Sequence, residues 1–229
     1  MAKFSPRSPL FPARPLLLAA AALLLLAPPA VHAQRAPAPA VPAQQTTASD
    51  WLYAGSDIPR DTAWQFGVLP NGVRYAVRNN GVPPGQVSIR VRMDVGSMFE
   101  TESERGYAHL LEHLTFRGSE HIPDGEAKRI WQRFGVTFGS DSNAQTTPTQ
   151  TVYQLDLPSI TPANLDESMK LLAGMIREPR ISELAVAAER GVVMSELRES
   201  DGPQKRIADA TNAHLFAGQL LGDRSPIGT

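Results

Sequence analysis

His109-Leu110-Leu111-Glu112-His113 is the stretch on which the reading of this chain turns. Residues four apart on a helix lie one turn above each other, so a helix here puts His109 and His113 on one face. Two neutral imidazoles so placed can bind one metal ion, with zinc–nitrogen distances of about 2.0–2.1 Å. Glu112 stands beside His113 and three residues from His109. From there its carboxylate reaches a zinc-bound water without being a ligand itself. A metal lowers the pKa of such a water toward about 7, and a nearby carboxylate can take its proton. The five residues hold two ligands and a general base, in the order H-x-x-E-H that reverses the zinc-peptidase signature H-E-x-x-H.

With 5 His in 229 residues, composition alone produces such a pattern by chance at roughly the one-per-cent level. The flanks speak against coincidence. Tyr107, Leu110, Leu111, Leu114 and Phe116 surround the motif and predict a mostly buried helix. Burying two histidines and a carboxylate without partners costs several kcal/mol, and a metal ion removes that cost.

The chain has no cysteine, so a disulfide framework and a thiolate metal site are both excluded. Zinc would be held by histidine and carboxylate. Lys3, Arg7 and Arg14 precede a 12-residue apolar run, Leu16 to Ala27, which Pro28 and Pro29 break. Val31-His32-Ala33 then supplies a small-residue cleavage pattern. Residues 1–33 therefore read as a signal peptide, with the mature chain starting at Gln34. The run is short for a membrane span, so no stable span is expected after cleavage. Loss of those three cations leaves 19 basic against 23 acidic residues, a net charge of −4. That balance carries no nucleic-acid footprint. An export signal on a chain without cysteine is compatible with the periplasm or with secretion. Residues 34–50, rich in Ala, Pro, Gln and Thr, read as a flexible leader. Residues 51–229 are enough for one domain with a proper core.

Within that domain, Trp64–Leu69 and Val73–Val77 flank Pro70-Asn71-Gly72, a strong hairpin signal. Gln86–Val95 alternates, with Val87, Ile89, Val91, Met93 and Val95 on one side, and reads as a half-buried strand. The motif helix follows, starting near Glu104 and closed by Gly118. A second helix is expected over Glu126–Phe134, and strands over Val136–Phe138 and Thr149–Leu157. The stretch between those strands, Gly139–Thr147, is polar and turn-rich. Pro162 opens a helix to Arg177 with Leu165, Met169, Leu172 and Ile176 as its apolar stripe. Ser182 caps a helix to Ser200, and a last helix spans Gln204–Gly218. The order predicts an α+β fold, a mostly antiparallel sheet with helices packed on one face.

A peptidase zinc site takes three protein ligands and keeps one position open. The helix after Ser182 offers Glu189 and Glu196, seven residues and two turns apart on one face. Val192 and Val193 lie between them, while Arg190 and Arg198 lie elsewhere. One carboxylate on zinc and the other steadying a ligand histidine explains charges interleaved with core valines. Ordinary surface glutamates are the competing reading, and Glu120, Asp124 and Glu199 are rival ligands.

The chain resembles the pitrilysin family of zinc metallopeptidases, which includes insulin-degrading enzyme and the mitochondrial processing peptidases. The resemblance runs from about Phe66 to the last residue. It rests on Leu69-Pro70-Asn71-Gly72-Val73-Arg74-Tyr75, on Val95-Gly96-Ser97 and on Gly106 to Ser119. Asn143-Ala144, Thr151-Val152-Tyr153, Glu189 to Glu196 and Ser225-Pro226-Ile227-Gly228-Thr229 add to it. The resemblance implies His109, His113 and Glu196 as zinc ligands, Glu112 as catalytic base and Glu189 as supporting carboxylate. The 83 residues from His113 to Glu196 are more than is usual in the family, and Ser140–Thr149 is where an insertion would fit.

The resemblance further implies that an extended peptide substrate adds to a sheet edge near Gly139–Ala144, touching Asn143 and Ala144. Strand addition reads backbone and suits broad specificity. Family members also close a chamber with a second homologous half, which this stretch would need in cis or from a partner chain. The expected activity is zinc-dependent endopeptidase cleavage of peptides or unfolded segments. A non-catalytic, peptidase-like subunit acting as scaffold or peptide binder is the alternative.

Overall fold

The computed structural model describes Trp51 and residues 56–228. The expected signal peptide and leader lie outside the described residues. The described residues fall into two compact units, one holding Trp51 and residues 56–60 and 67–75 and the other residues 61–66 and 76–228. The first holds the turn of the expected hairpin. There the Leu69 amide donates to the Val73 carbonyl at 2.8 Å and the Asn71 side chain accepts from the Val73 amide. The strands that this turn joins are β1 (Trp64–Val68) and β2 (Arg74–Arg78), a two-stranded sheet.

The second unit is built on three antiparallel strands. β3 (Val87–Met93) and β4 (Ser142–Thr146) flank β5 (Thr151–Leu157), giving the order β3-β5-β4. The helices are α1 (Tyr107–Thr115), α2 (Glu126–Arg133), α3 (Pro162–Arg177), α4 (Glu183–Ser200) and α5 (Pro203–Leu215). The α+β expectation with an antiparallel sheet holds. β5 alternates as read: Thr151, Tyr153, Leu155 and Leu157 are buried and the residues between them only partly so. Register pairs Ile89 with Leu155 and Val87 with Leu157, so the apolar side of β3 continues the same face. Ala127, Ile130 and Trp131 of α2 and Leu171, Leu172 and Met175 of α3 cover that face as one core. Trp131, Leu155, Leu157 and Met175 are almost fully enclosed. Burial of side chains of this size stabilises the fold by about 1.5–3 kcal/mol each.

Several boundaries differ from the sequence reading, for physical reasons. α1 begins at Tyr107 because Gly106 takes a left-handed conformation, φ 92°, and breaks it from a short 3₁₀ turn at Glu102–Glu104. α1 is also less buried than its flanks suggest: Leu114 is enclosed, whereas Tyr107 and Leu111 are exposed. Val136–Phe138 forms no strand. Val136 enters the core after α2, and Phe138 makes one isolated bridge to Ser142. The strand lies instead in the polar segment after it, where β4 pairs with β5 through a tight turn from Thr147 to Gln150. The stretch expected to house an insertion is therefore this strand and turn. In α3 the buried stripe is Ser168, Leu171, Leu172 and Met175, and Met169 faces solvent. In α4 Val193 is buried but Val192 is exposed. α5 ends three residues earlier than expected.

Candidate metal centre

The cap of α1 comes from a distance. The Glu100 carboxylate accepts from the backbone amides of Gly106, at 2.9 Å, and Ala108, at 2.8 Å. A negative group on amides that have no helical partner stabilises the N-terminus. α1 packs on β4, β5 and α4. α4 starts where the sequence placed it, with the Ser182 hydroxyl accepting from the Ala185 amide. The two helices bring together side chains that stand 83 residues apart in sequence.

His109 Nε2 and His113 Nε2 lie 3.3 Å apart. A Glu196 carboxylate oxygen lies 3.4 Å from His113 Nε2 and 3.7 Å from His109 Nε2. Tetrahedral zinc at about 2.0–2.2 Å from each donor spaces its ligand atoms roughly 3.3–3.5 Å apart. Two sides of the triangle fall in this range and the third, from His109 to Glu196, is slightly longer. The chemistry of the triangle also fits a cation. Glu189 places an oxygen 3.1 Å from His113 Nδ1, and a carboxylate accepts only. In a neutral His113 ring this contact assigns the proton to Nδ1 and leaves the Nε2 lone pair facing the Glu196 carboxylate. Two acceptors then face each other, an arrangement that a positive ion makes favourable. Of the rivals, Asp124 pairs with Arg117 at 3.0 Å. Glu120 groups with His121 and Glu178 on another, exposed part of the surface. Glu199 is exposed and is not among the metal-site groups found in the described residues.

His109 has a pKa below its ordinary 6.5, because burial penalises the imidazolium; Glu112 opposes the shift, His113 reinforces it, and Glu196 and Glu100 oppose it. A neutral imidazole is the form that binds metal. Glu112 is 8 % exposed and stands outside the donor triangle. One of its oxygens accepts from the Thr146 hydroxyl at 2.5 Å. Thr146 lies on β4 directly across from Thr151, whose hydroxyl donates to the Val95 carbonyl. Burial raises the nearby Tyr153 phenol above its ordinary pKa, partly offset by a hydrogen bond with Thr115.

His109, Glu112 and Glu196 open on a cleft of about 400 Å³. Ala144, Gln145 and Thr146 line it from β4, Ser200 and Lys205 from α4 and α5, and Ser225, Pro226 and Ile227 from the last segment. Of the two expected substrate contacts, Ala144 lines this cleft. Asn143 is exposed, does not line it, and turns its side-chain oxygen to the Ala144 amide. Sequence reasoning gave Thr146, Glu100, Arg117 and the segment 225–227 no role at the site, although Arg117 and residues 225–227 lie in stretches that carry the family resemblance.

Residues 75–224 match the family model Insulinase (Peptidase family M16). The chain belongs to this family. Among M16 relatives it is 33 % identical over 171 residues to the probable zinc protease PqqL of Escherichia coli, covering 75 % of this chain and 18 % of that protein. It is 29 % identical over 205 residues to the chloroplastic stromal processing peptidase of Arabidopsis thaliana, covering 88 % of this chain and 15 % of that one. The chain thus spans under a fifth of the length of these two relatives. The crystal structure of the first half of the periplasmic protease PqqL from Escherichia coli superposes with a TM-score of 0.72 at 33 % identity, over 75 % of this chain and 37 % of that one. Rat cytochrome b-c1 complex subunit 1 is 29 % identical over 182 residues, 79 % of this chain and 35 % of that protein. Among the described residues no helix is long and apolar enough to cross a membrane.

Proposed function

We propose that the chain is the metal-binding part of a zinc-dependent endopeptidase that hydrolyses peptides or unfolded polypeptide segments. His109, His113 and Glu196 are the ligands, Glu112 is the general base and Glu189 holds His113. The observation that carries this reading is the donor triangle of 3.3, 3.4 and 3.7 Å, with an acid–base carboxylate beside it rather than in it. Membership of a peptidase family and the likeness to proteins named zinc protease support it.

When bound, zinc supplies the Lewis acidity that polarises a peptide carbonyl and acidifies water. The rest falls to the chain. Thr146 occupies one Glu112 oxygen, so the other is the one free to accept a proton from the attacking water. The same oxygen then returns that proton to the departing amine. Glu189 orients the His113 ring by accepting from its Nδ1. The exposed edge of β4 offers backbone groups to an extended peptide, with Ala144 in the cleft and Asn143 at its margin. A second homologous half, in cis or on a partner chain, closes the cleft and excludes water. Residues 1–33 direct export to the periplasm or beyond, as the likeness to a periplasmic protease supports.

The non-catalytic subunit reading has one observation in its favour, the likeness to a cytochrome b-c1 complex subunit. A scaffold needs neither the donor triangle nor Glu112. Glu112→Gln separates the two readings. It keeps the ligands and loses the base, so zinc content stays at the parent level while peptide cleavage falls by about 10²–10⁴-fold. Equal cleavage of a peptide pool by parent and variant removes Glu112 from the mechanism.

A further inference from the structure

Beyond the ligands and the base lies a chain of charges that none of these roles explains. Glu189 is 9 % exposed. Its two oxygens have different partners: one faces His113 Nδ1 at 3.1 Å and the other faces an Arg117 amino group at 3.5 Å. The second amino group of Arg117 pairs with Asp124 at 3.0 Å. Arg117 Nε is enclosed and makes no hydrogen bond. His113 and Arg117 leave the same end of α1, Glu189 comes from the middle of α4, and Asp124 precedes α2. One guanidinium therefore ties the end of α1 to α4 and to the segment before α2.

The energetics say why an arginine is needed there. A nearly buried carboxylate with one oxygen on an imidazole has a second oxygen that still needs a partner. Leaving its second oxygen unpaired in that enclosed place is unfavourable. Glu189 could escape that cost by turning away from His113, and that change releases the His113 ring. A cation on the second oxygen removes that escape. The forked guanidinium suits the position, because it meets Glu189 and Asp124 at once in a fixed plane.

We infer that Arg117 is a positioning residue of the metal centre. Acting through Glu189, it locks His113 in the tautomer with its proton on Nδ1 and a free lone pair on Nε2, before any metal arrives. The site is thus preformed, and metal affinity depends on a residue that never touches the metal. This inference rests on the zinc reading above, and the test is built so that the two can fail separately.

The measurement is zinc affinity of the chain, by competition with a chromophoric chelator at pH 8. The proteins are the parent, Arg117→Met, Arg117→Lys, Glu189→Gln and the double variant Arg117→Met/Glu189→Gln. Loss of an outer partner of a ligand weakens metal binding about 10–100-fold. Arg117→Met is expected to fall in that range, and Arg117→Lys to recover most of it. In the Glu189→Gln background, Arg117→Met is expected to add less than about threefold, because the two act as a unit. Ring ¹⁵N–¹H spectra of the metal-free chain give a second reading that general loosening does not mimic. The parent shows His113 as the Nδ1–H tautomer, and Arg117→Met shows a mixture. Should Arg117→Met not fold, Arg117→Gln takes its place in both measurements. If the parent binds one zinc and the neutral variants bind it within twofold of the parent, with the tautomer unchanged, the role of Arg117 is refuted and the zinc reading stands. If the parent binds no zinc, the zinc reading itself is refuted.

Discussion

Thr146→Val removes the hydrogen bond by which β4 holds Glu112. Valine keeps the shape of threonine and replaces the hydroxyl by a methyl group. The lost bond joins a hydroxyl to a carboxylate, at 2.5 Å, between residues that are 9 % and 8 % exposed. Hydrogen bonds to charged groups contribute about 1.5–3 kcal/mol net. Glu112 also lines the cleft, so water can compensate in part, which favours the lower end, about 1.5–2 kcal/mol. For a chain of this size each kcal/mol moves the thermal midpoint by roughly 2–4 °C, so a drop of about 3–8 °C is expected. Urea unfolding of the metal-free chain should show the midpoint falling with the slope unchanged. Thr146→Ser, which keeps the hydroxyl, should stay within about 0.5 kcal/mol of the parent. If Thr146→Val also stays within that limit, the bond does not hold Glu112 and the assignment of its free oxygen loses its basis.

Glu100→Ala removes the carboxylate from two α1 amides and should cost about 1–2 kcal/mol in the same urea assay; an unchanged midpoint shows that α1 does not depend on this cap. Gly96→Ala would set a Cβ 2.1 Å from the Thr147 carbonyl oxygen, so it should destabilise by more than about 3 kcal/mol, and a parent-like melting curve contradicts that packing. Acidification tests His109. Its lowered pKa means that the metal-free folded state takes up a proton later than the unfolded state does. Stability from this group is therefore fully present above pH 6.5 and lost as pH falls from 6.5 through the lowered value. His109→Gln should flatten that part of the urea-midpoint profile between pH 8 and 5.

The parts of this fold that were legible in the sequence are those fixed by local chemistry. Pro162 and Ser182 mark helix starts because capping acts within one turn, and both helices begin there. β5 was legible because its buried face repeats every second residue. β4 was not, because Ser142-Asn143-Ala144-Gln145 has little strand preference and is extended by pairing with β5. The apolar stripe of α3 was read too far round, since Met169 and Met175 look alike in a pattern and only the position of the sheet decides which is covered. At the candidate site the same division holds. His109, Glu112 and His113 stand out by spacing, whereas the two-turn interval of Glu189 and Glu196 left Glu120, Asp124 and Glu199 as rivals and only the family resemblance singled the pair out. Thr146, Glu100 and the wall at 225–227 reach the site only through tertiary contacts.

The central claim is that two imidazole nitrogens and one carboxylate oxygen grip a single ion. Metal analysis with X-ray absorption at the zinc edge tests it most directly, on the parent and on His113→Ala and Glu196→Ala. The account predicts one zinc per chain, two nitrogen and at least one oxygen neighbours at about 2.0–2.2 Å, and loss of the ion in either variant. A parent that takes up no zinc, or variants that hold it with an unchanged spectrum, would contradict it.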